Sequence, residues 1–138
     1  MIIKLNGDQI DLLVKEAQRK HPIEICGALF GDINDKKEAR VKRMVLLKNL
    51  LNSETRFQIN PTEFLEALLN AEREGLQHIG FFHSHPTDIK PSAIDLKYMK
   101  LWPEIVWLII SPSNRKIAAY QIINGRLCEV YIKMTEQQ

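Results

Sequence analysis

A chain of 138 residues, 45% of them hydrophobic, can bury one core of its own, so a single domain over residues 1–134 is expected, with a frayed polar tail at 135–138. Its 19 Lys and Arg against 17 Asp and Glu, dispersed rather than gathered on one face, argue against nucleic acid as a partner. No apolar run approaches the roughly 18 residues a bilayer crossing needs, and the start lacks the regions of a secretion signal, so the expected setting is cytoplasmic with no membrane partner.

Ile10, Leu13, Val14 and Ala17 recur at helical spacing behind Asp8 and predict a first helix from Asp8 to Arg19, stopped before His21-Pro22. Ile25–Ile33 and Ala39–Lys48 read as two strands of a hairpin, joined by a charged turn through Asp35 and Lys36. Thr55–Ile59 is a candidate short strand. Asn60-Pro61 then opens a second helix whose apolar packing face is Phe64, Leu65, Leu68 and Leu69, and Gly75 closes it. Next come a strand from Gln77 to His83, a loop through Pro86 and Pro91, and a helix from Ser92 to about Leu101. Glu104–Ser111 is apolar almost throughout, as expected of a central strand buried on both faces. The last two strands, Lys116–Ile123 and Arg126–Lys133, are joined by Asn124-Gly125, which suits a type I′ turn because both positions need positive φ. This order predicts a mixed sheet with helices packed against it.

The chemistry concentrates in His83-Ser84-His85-Pro86, followed by Ser92 and Asp95. Histidines one residue apart on an extended segment point the same way, which makes them a candidate metal pair. A carboxylate from the next helix completes three protein ligands, the number that leaves a catalytic zinc an open fourth position. A rival reading of Ser92-Ala93-Ile94-Asp95 is a capping box, in which the serine caps the helix and the acid sits at its third position. Both readings hold together, because a hydroxyl that accepts a bond from the helix end still has a proton to give.

Other templates fail. Cys26 and Cys128, about a hundred residues apart, build no cysteine zinc site and read as buried thiols in strands. There is no His-Glu-x-x-His helix, no deaminase signature, no Gly-x-Ser-x-Gly elbow and no phosphate-cradling glycine loop. His78 stands at odd spacing from His83, which places it on the opposite face as an edge or surface residue. Ser84 points away from the histidines and serves nearby backbone. Trp102 and Trp107 read as packing, and Asp88 stays open as a further carboxylate near the site.

Pro22-Ile23-Glu24-Ile25-Cys26-Gly27, then Gly80-Phe81-Phe82-His83-Ser84-His85-Pro86, then Ser92-x-x-Asp95, resemble the motif of the JAMM (MPN+) metalloproteases over nearly the whole chain. The resemblance implies an α/β fold of the cytidine-deaminase-like, JAMM/MPN kind: a mixed, mainly antiparallel curved sheet with helices against it. It also implies one zinc per chain held by His83, His85 and Asp95, which activates a water. Glu24, by itself an ordinary strand-edge carboxylate, is implied as general base, and Ser92 as donor to the oxyanion. The implied activity is isopeptide or peptide hydrolysis after the Gly-Gly tail of a ubiquitin-like modifier. Its partners are then such modifiers and their conjugates, with a homodimer left open. One departure stands out: six residues, Pro86–Pro91, separate His85 from Ser92 where the family usually has seven. The loop is expected to absorb the deletion and leave the helix start in place. Two alternatives remain: a peptidase trimming a sulfur-carrier protein or another peptide, and a noncatalytic scaffold of the same fold, which the complete residue set disfavours. Asn52–Gln58 is the candidate edge against which a substrate tail would add as a strand.

Overall fold

A computed structural model describes residues 1–136. Among them the elements run β1 (Ile2–Asn6), α1 (Gly7–Lys20), β2 (Cys26–Ile33), β3 (Glu38–Leu47), α2 (Pro61–Arg73), β4 (Gln77–Ser84), α3 (Ala93–Lys100), β5 (Val106–Ser111), β6 (Lys116–Ile123) and β7 (Arg126–Thr135). No described helix is long and apolar enough to cross a membrane. The strands close into a barrel in the order β1-β3-β2-β4-β5-β6-β7. That corrects the curved sheet expected from sequence, and the physical reason is β1. It pairs in parallel with both β3 and β7, Ile2 opposite Glu38 on one side and Tyr131 on the other. Thr135, assigned from sequence to the tail, ends β7 and pairs with Asn6, while positions 137–138 of that predicted tail lie outside the described residues. β4–β5 is also parallel; β2–β3, β2–β4, β5–β6 and β6–β7 are antiparallel.

Two apolar clusters follow from side-chain alternation along the strands. One draws on all seven strands and on Leu13, Val14 and Ala17 of α1. Alpha-helix α1 starts at a capping box, in which the Asn6 side chain accepts the Gln9 N–H and the Gln9 side chain accepts the Asn6 N–H, both at 2.9 Å. The other cluster lies under α2 and α3, and includes Cys26, Phe30, Phe57, Phe81, Trp107 and Tyr120. All six residues of β5 are buried, so it is the doubly covered strand its sequence predicts. Asn124 and Gly125 both take positive φ (52° and 77°), as the last hairpin requires. Cys26 is a buried free thiol pushed up to about 12 by burial, whereas Cys128 is a free thiol only half buried, not the second buried one expected.

The packing face of α2 differs from the expected one. Leu65 and Leu69 are 53% and 45% exposed, and the buried positions are Ala67 and Ala71, with Phe64 and Leu68 packed beside them. The stripe at 64, 67, 68 and 71 keeps helical spacing, and its alanines let the helix lie close. Thr55–Ile59 forms no strand; a single bridge joins Asn49 and Ile59. The Asn49 side chain takes over the backbone there, accepting the Gln58 and Leu51 N–H groups and donating to the Arg56 carbonyl. The expected strand edge at Asn52–Gln58 is therefore a folded loop.

β4 carries a bulge: Leu29 of β2 pairs with Gly80 and Phe30 with His78, leaving Ile79 unopposed. The extra residue reverses the parity, so His78 lies on the same face as Phe81, at 4.8 Å between ring centroids, and not opposite as its odd spacing predicted. There it is half buried among Phe30, Phe64, Phe81 and Trp102, and burial lowers its pKa. Next to the bulge, Gly80 faces Val106, and a Cβ on Gly80 would stand 2.0 Å from the Val106 carbonyl oxygen. Gly80→Ala is expected to destabilise the fold by about 1–3 kcal/mol or more, measured as a lower denaturant midpoint; an unchanged midpoint would contradict the close β4–β5 pairing.

Candidate metal centre

His83, near the end of β4, is fully buried, and its ring stacks on Phe57 at 4.4 Å. The strand-like path continues one residue further, since the His85 N–H donates to the Ile110 carbonyl at 2.9 Å. Period two therefore turns both imidazoles the same way, with centroids 4.9 Å apart. Ser84 points oppositely, and its Oγ accepts the Ile25 N–H at 2.9 Å, the backbone role expected of it.

The short link from Pro86 to Pro91 brings α3 to this pair with its start intact. Ser92 caps the helix: its Oγ accepts the Asp95 N–H at 3.0 Å, and its own N–H donates to Asp95 Oδ2 at 2.9 Å. No described residue accepts the Ser92 hydroxyl proton. The same Oδ2 lies 3.1 Å from His83 Nε2 and 2.9 Å from His85 Nε2, and the two Nε2 atoms are 3.1 Å apart. The capping carboxylate and the candidate ligand are thus the same group.

Three atoms able to ligate a metal, His83 Nε2, His85 Nε2 and Asp95 Oδ2, converge on a triangle with edges of 2.9–3.1 Å. Zinc bonded to N and O at about 2.0–2.1 Å has tetrahedral ligand–ligand edges of about 3.3–3.4 Å, so small outward shifts would seat the ion. Charge supports the fit. Burial alone would lower the His85 pKa, but hydrogen bonds to Asp95 and Asp88 and the charges of Asp95 and Glu24 raise it to about 9. Burial would raise the Asp95 pKa, yet the hydrogen bonds from His83 and His85 hold it well below the usual carboxylate range. His83 is lowered by burial. The pocket thus favours positive charge between His85 and Asp95, where a divalent cation would supply it.

Glu24, in the link between α1 and β2, is 3% exposed, and its Oε1 is buried without a hydrogen-bond partner. Burial raises its pKa to about 8, with His85 lowering it and Asp95 and Asp88 adding to the rise. Glu24, His83 and His85 also place ligand atoms within 4.8 Å of one another, a looser set than the Asp95 triangle. The tighter set matches tetrahedral edges more closely, and a cation held there would have Glu24 as a neighbour outside the triangle. Asp88 is not in the triangle; its Oδ1 lies 2.9 Å from His85 Nδ1, on the far side of the ring. Two contributors escaped sequence reasoning. Phe57, on the segment read as a strand, braces His83, and Tyr120 of β6 donates to the Ile89 carbonyl in the loop at 2.7 Å. Neither has a sequence signal, because both act across the fold.

The family model described as prokaryotic homologs of the JAB domain matches residues 8–123. A desampylase from Pyrococcus furiosus is 40% identical over 111 residues, 80% of this chain and 75% of that protein. A CysO-cysteine peptidase from Mycobacterium tuberculosis is 26% identical over 140 residues, 99% of this chain and 93% of that one. The solution structure of protein DSY2949 from Desulfitobacterium hafniense superposes with a TM-score of 0.87 at 30% identity, covering 99% of this chain and 94% of that one. The chain belongs to the family of prokaryotic JAB-domain homologues.

Proposed function

We propose that this protein is a zinc-dependent isopeptidase or peptidase that hydrolyses the bond after the C-terminal Gly-Gly tail of a ubiquitin-like protein. The observation that carries the reading is the triangle of His83 Nε2, His85 Nε2 and Asp95 Oδ2 with the unpartnered Glu24 carboxylate beside it. Similarity to a desampylase and to a CysO-cysteine peptidase supports the substrate class. When bound, zinc lowers the pKa of water towards about 7 and polarises a carbonyl.

The remaining chemistry belongs to the chain. Glu24, buried and carrying a raised pKa, takes the proton of the attacking water and returns it to the leaving amine. Ser92 keeps its hydroxyl proton for the oxyanion that forms as the carbonyl is attacked. A Gly-Gly tail suits the site because residues without side chains can pass close to buried ligands. A second reading, trimming of a sulfur-carrier protein, has its own support in the match to the CysO-cysteine peptidase, which extends over 99% of the chain.

The test combines metal analysis with cleavage of two substrates, a ubiquitin-like fusion and a sulfur-carrier conjugate, before and after chelator treatment. One zinc per chain and chelator-sensitive cleavage are expected, and the preferred substrate separates the two readings. Full activity in chelator-treated, zinc-free protein would sink both.

A further inference from the structure

The link from Pro86 to Pro91 contains no helix or strand, yet it sets the far side of one histidine of the site. Its entry is fixed by the His85 N–H on the Ile110 carbonyl, and its exit by the Ser92 cap. Between them stands Asp88, whose side chain is 62% exposed and whose Oδ1 is 2.9 Å from His85 Nδ1 while accepting the Lys90 N–H at 3.2 Å. A carboxylate so open to water holds one bond only if its backbone is held. The hold is at the next residue, where the Ile89 carbonyl accepts the Tyr120 hydroxyl at 2.7 Å. Tyr120 is a firm post: it is 6% exposed, packed in the cluster with Trp107 and Ile109, and paired in register with Trp107 across β5–β6.

We propose that Tyr120 and Asp88 form a positioning chain for His85. The tyrosine hydroxyl pins the loop at Ile89, which keeps the Asp88 carboxylate on the His85 Nδ1–H, so that Nε2 presents its lone pair towards Asp95 and His83. Imidazole carries a single proton when neutral, and the partner of one nitrogen decides what the other can do. Neither residue needs to touch substrate; both act through His85. The inference rests on the zinc site proposed above.

Zinc affinity, measured by competition with a chromophoric chelator after metal removal, tests it. Asp88→Ala is expected to bind zinc about 10–100-fold more weakly, the usual effect of losing an outer partner of a ligating histidine. Asp88→Asn keeps an acceptor for the Nδ1–H and should recover most of that loss. Tyr120→Phe retains the ring packing and should weaken zinc binding about fivefold, the worth of one net hydrogen bond. The double variant Asp88→Ala/Tyr120→Phe should be no weaker than Asp88→Ala, because Tyr120 acts only through Asp88. In the zinc-loaded protein, the His85 Nδ1 proton should exchange slowly in the wild type and faster in Tyr120→Phe. Wild-type zinc affinity in Tyr120→Phe, or losses that add in the double variant, would overturn the positioning chain. A wild-type protein that binds no zinc would instead remove the metal site itself, so the two failures are distinct.

Discussion

Glu24→Gln is expected to slow cleavage of a ubiquitin-like fusion by about 10²–10⁴-fold, the range for losing a positioned proton-transfer group, while zinc stays at one per chain. The backbone explains why the carboxylate is well placed: the Glu24 N–H donates to the Ser53 carbonyl at 2.9 Å, and its own carbonyl accepts from the Asn49 side chain at 3.0 Å. Burial then lifts its pKa to about 8, His85 offsets part of the rise, and Asp95 and Asp88 add to it. A carboxyl poised near working pH can both take and return a proton, and a glutamine of the same shape can do neither. The measurements are the cleavage rate and zinc content of the same preparation. Loss of zinc in this variant would place Glu24 in the ligand set with His83 and His85, which the 4.8 Å grouping permits.

Asp95→Ala should show the complementary result, with cleavage at background and zinc affinity reduced by more than the roughly 10–100-fold that loss of an outer partner costs. Its Oδ2 faces both histidines at 2.9–3.1 Å, so its removal takes away the one carboxylate of the triangle. The substitution also opens the capping box, because the same oxygen accepts the Ser92 N–H; the loss of that one hydrogen bond costs about 0.5–1.5 kcal/mol, while the Ser92 cap itself stays. The barrel and both apolar clusters do not depend on this carboxylate, so a folded protein with a modestly lower melting temperature is expected. Two variants equally inactive but opposite in zinc content would separate metal binding from proton transfer. Asp95→Ala protein that keeps full zinc affinity would reject the ligand assignment.

Much of this was legible in the chain, for identifiable reasons. Local signals carried well: Asn60-Pro61, Gly75 and Asn124-Gly125 each mark a boundary through their own backbone chemistry, and the strand-borne histidine pair needs only period two. Contacts between distant elements were not legible. β1 is five residues long, too brief for a periodic pattern to stand out, yet Ile3 and Leu5 alternate inward and its two parallel neighbours close the barrel. Thr55–Ile59 has strand-like composition, but the Asn49 side chain satisfies backbone groups at Arg56 and Gln58 and no ladder forms. Asp88 was visible as a carboxylate near the site; that it faces the outer nitrogen of His85 follows from a loop path held at Ile89 by Tyr120, thirty-two positions from Asp88.

The unopposed Ile79 also determines where this chain can change length. β4 has already absorbed one inserted residue, and everything after it, from Gly80 to Ser84, reads in a fixed frame against β2 and β5. Deleting Ile79 would remove the bulge, leave that frame untouched and keep His78 opposite Phe30 on the face of Phe81. Deleting a residue from Gly80 to Phe82 would exchange the two faces relative to the strand's start, turning the histidine pair towards the barrel interior and core side chains into the site. Beyond Pro86 the frame no longer applies, because a loop has no parity. Gains and losses of residues are therefore tolerable after the histidines and prohibited just before them, and the six-residue link lies on the permissive side.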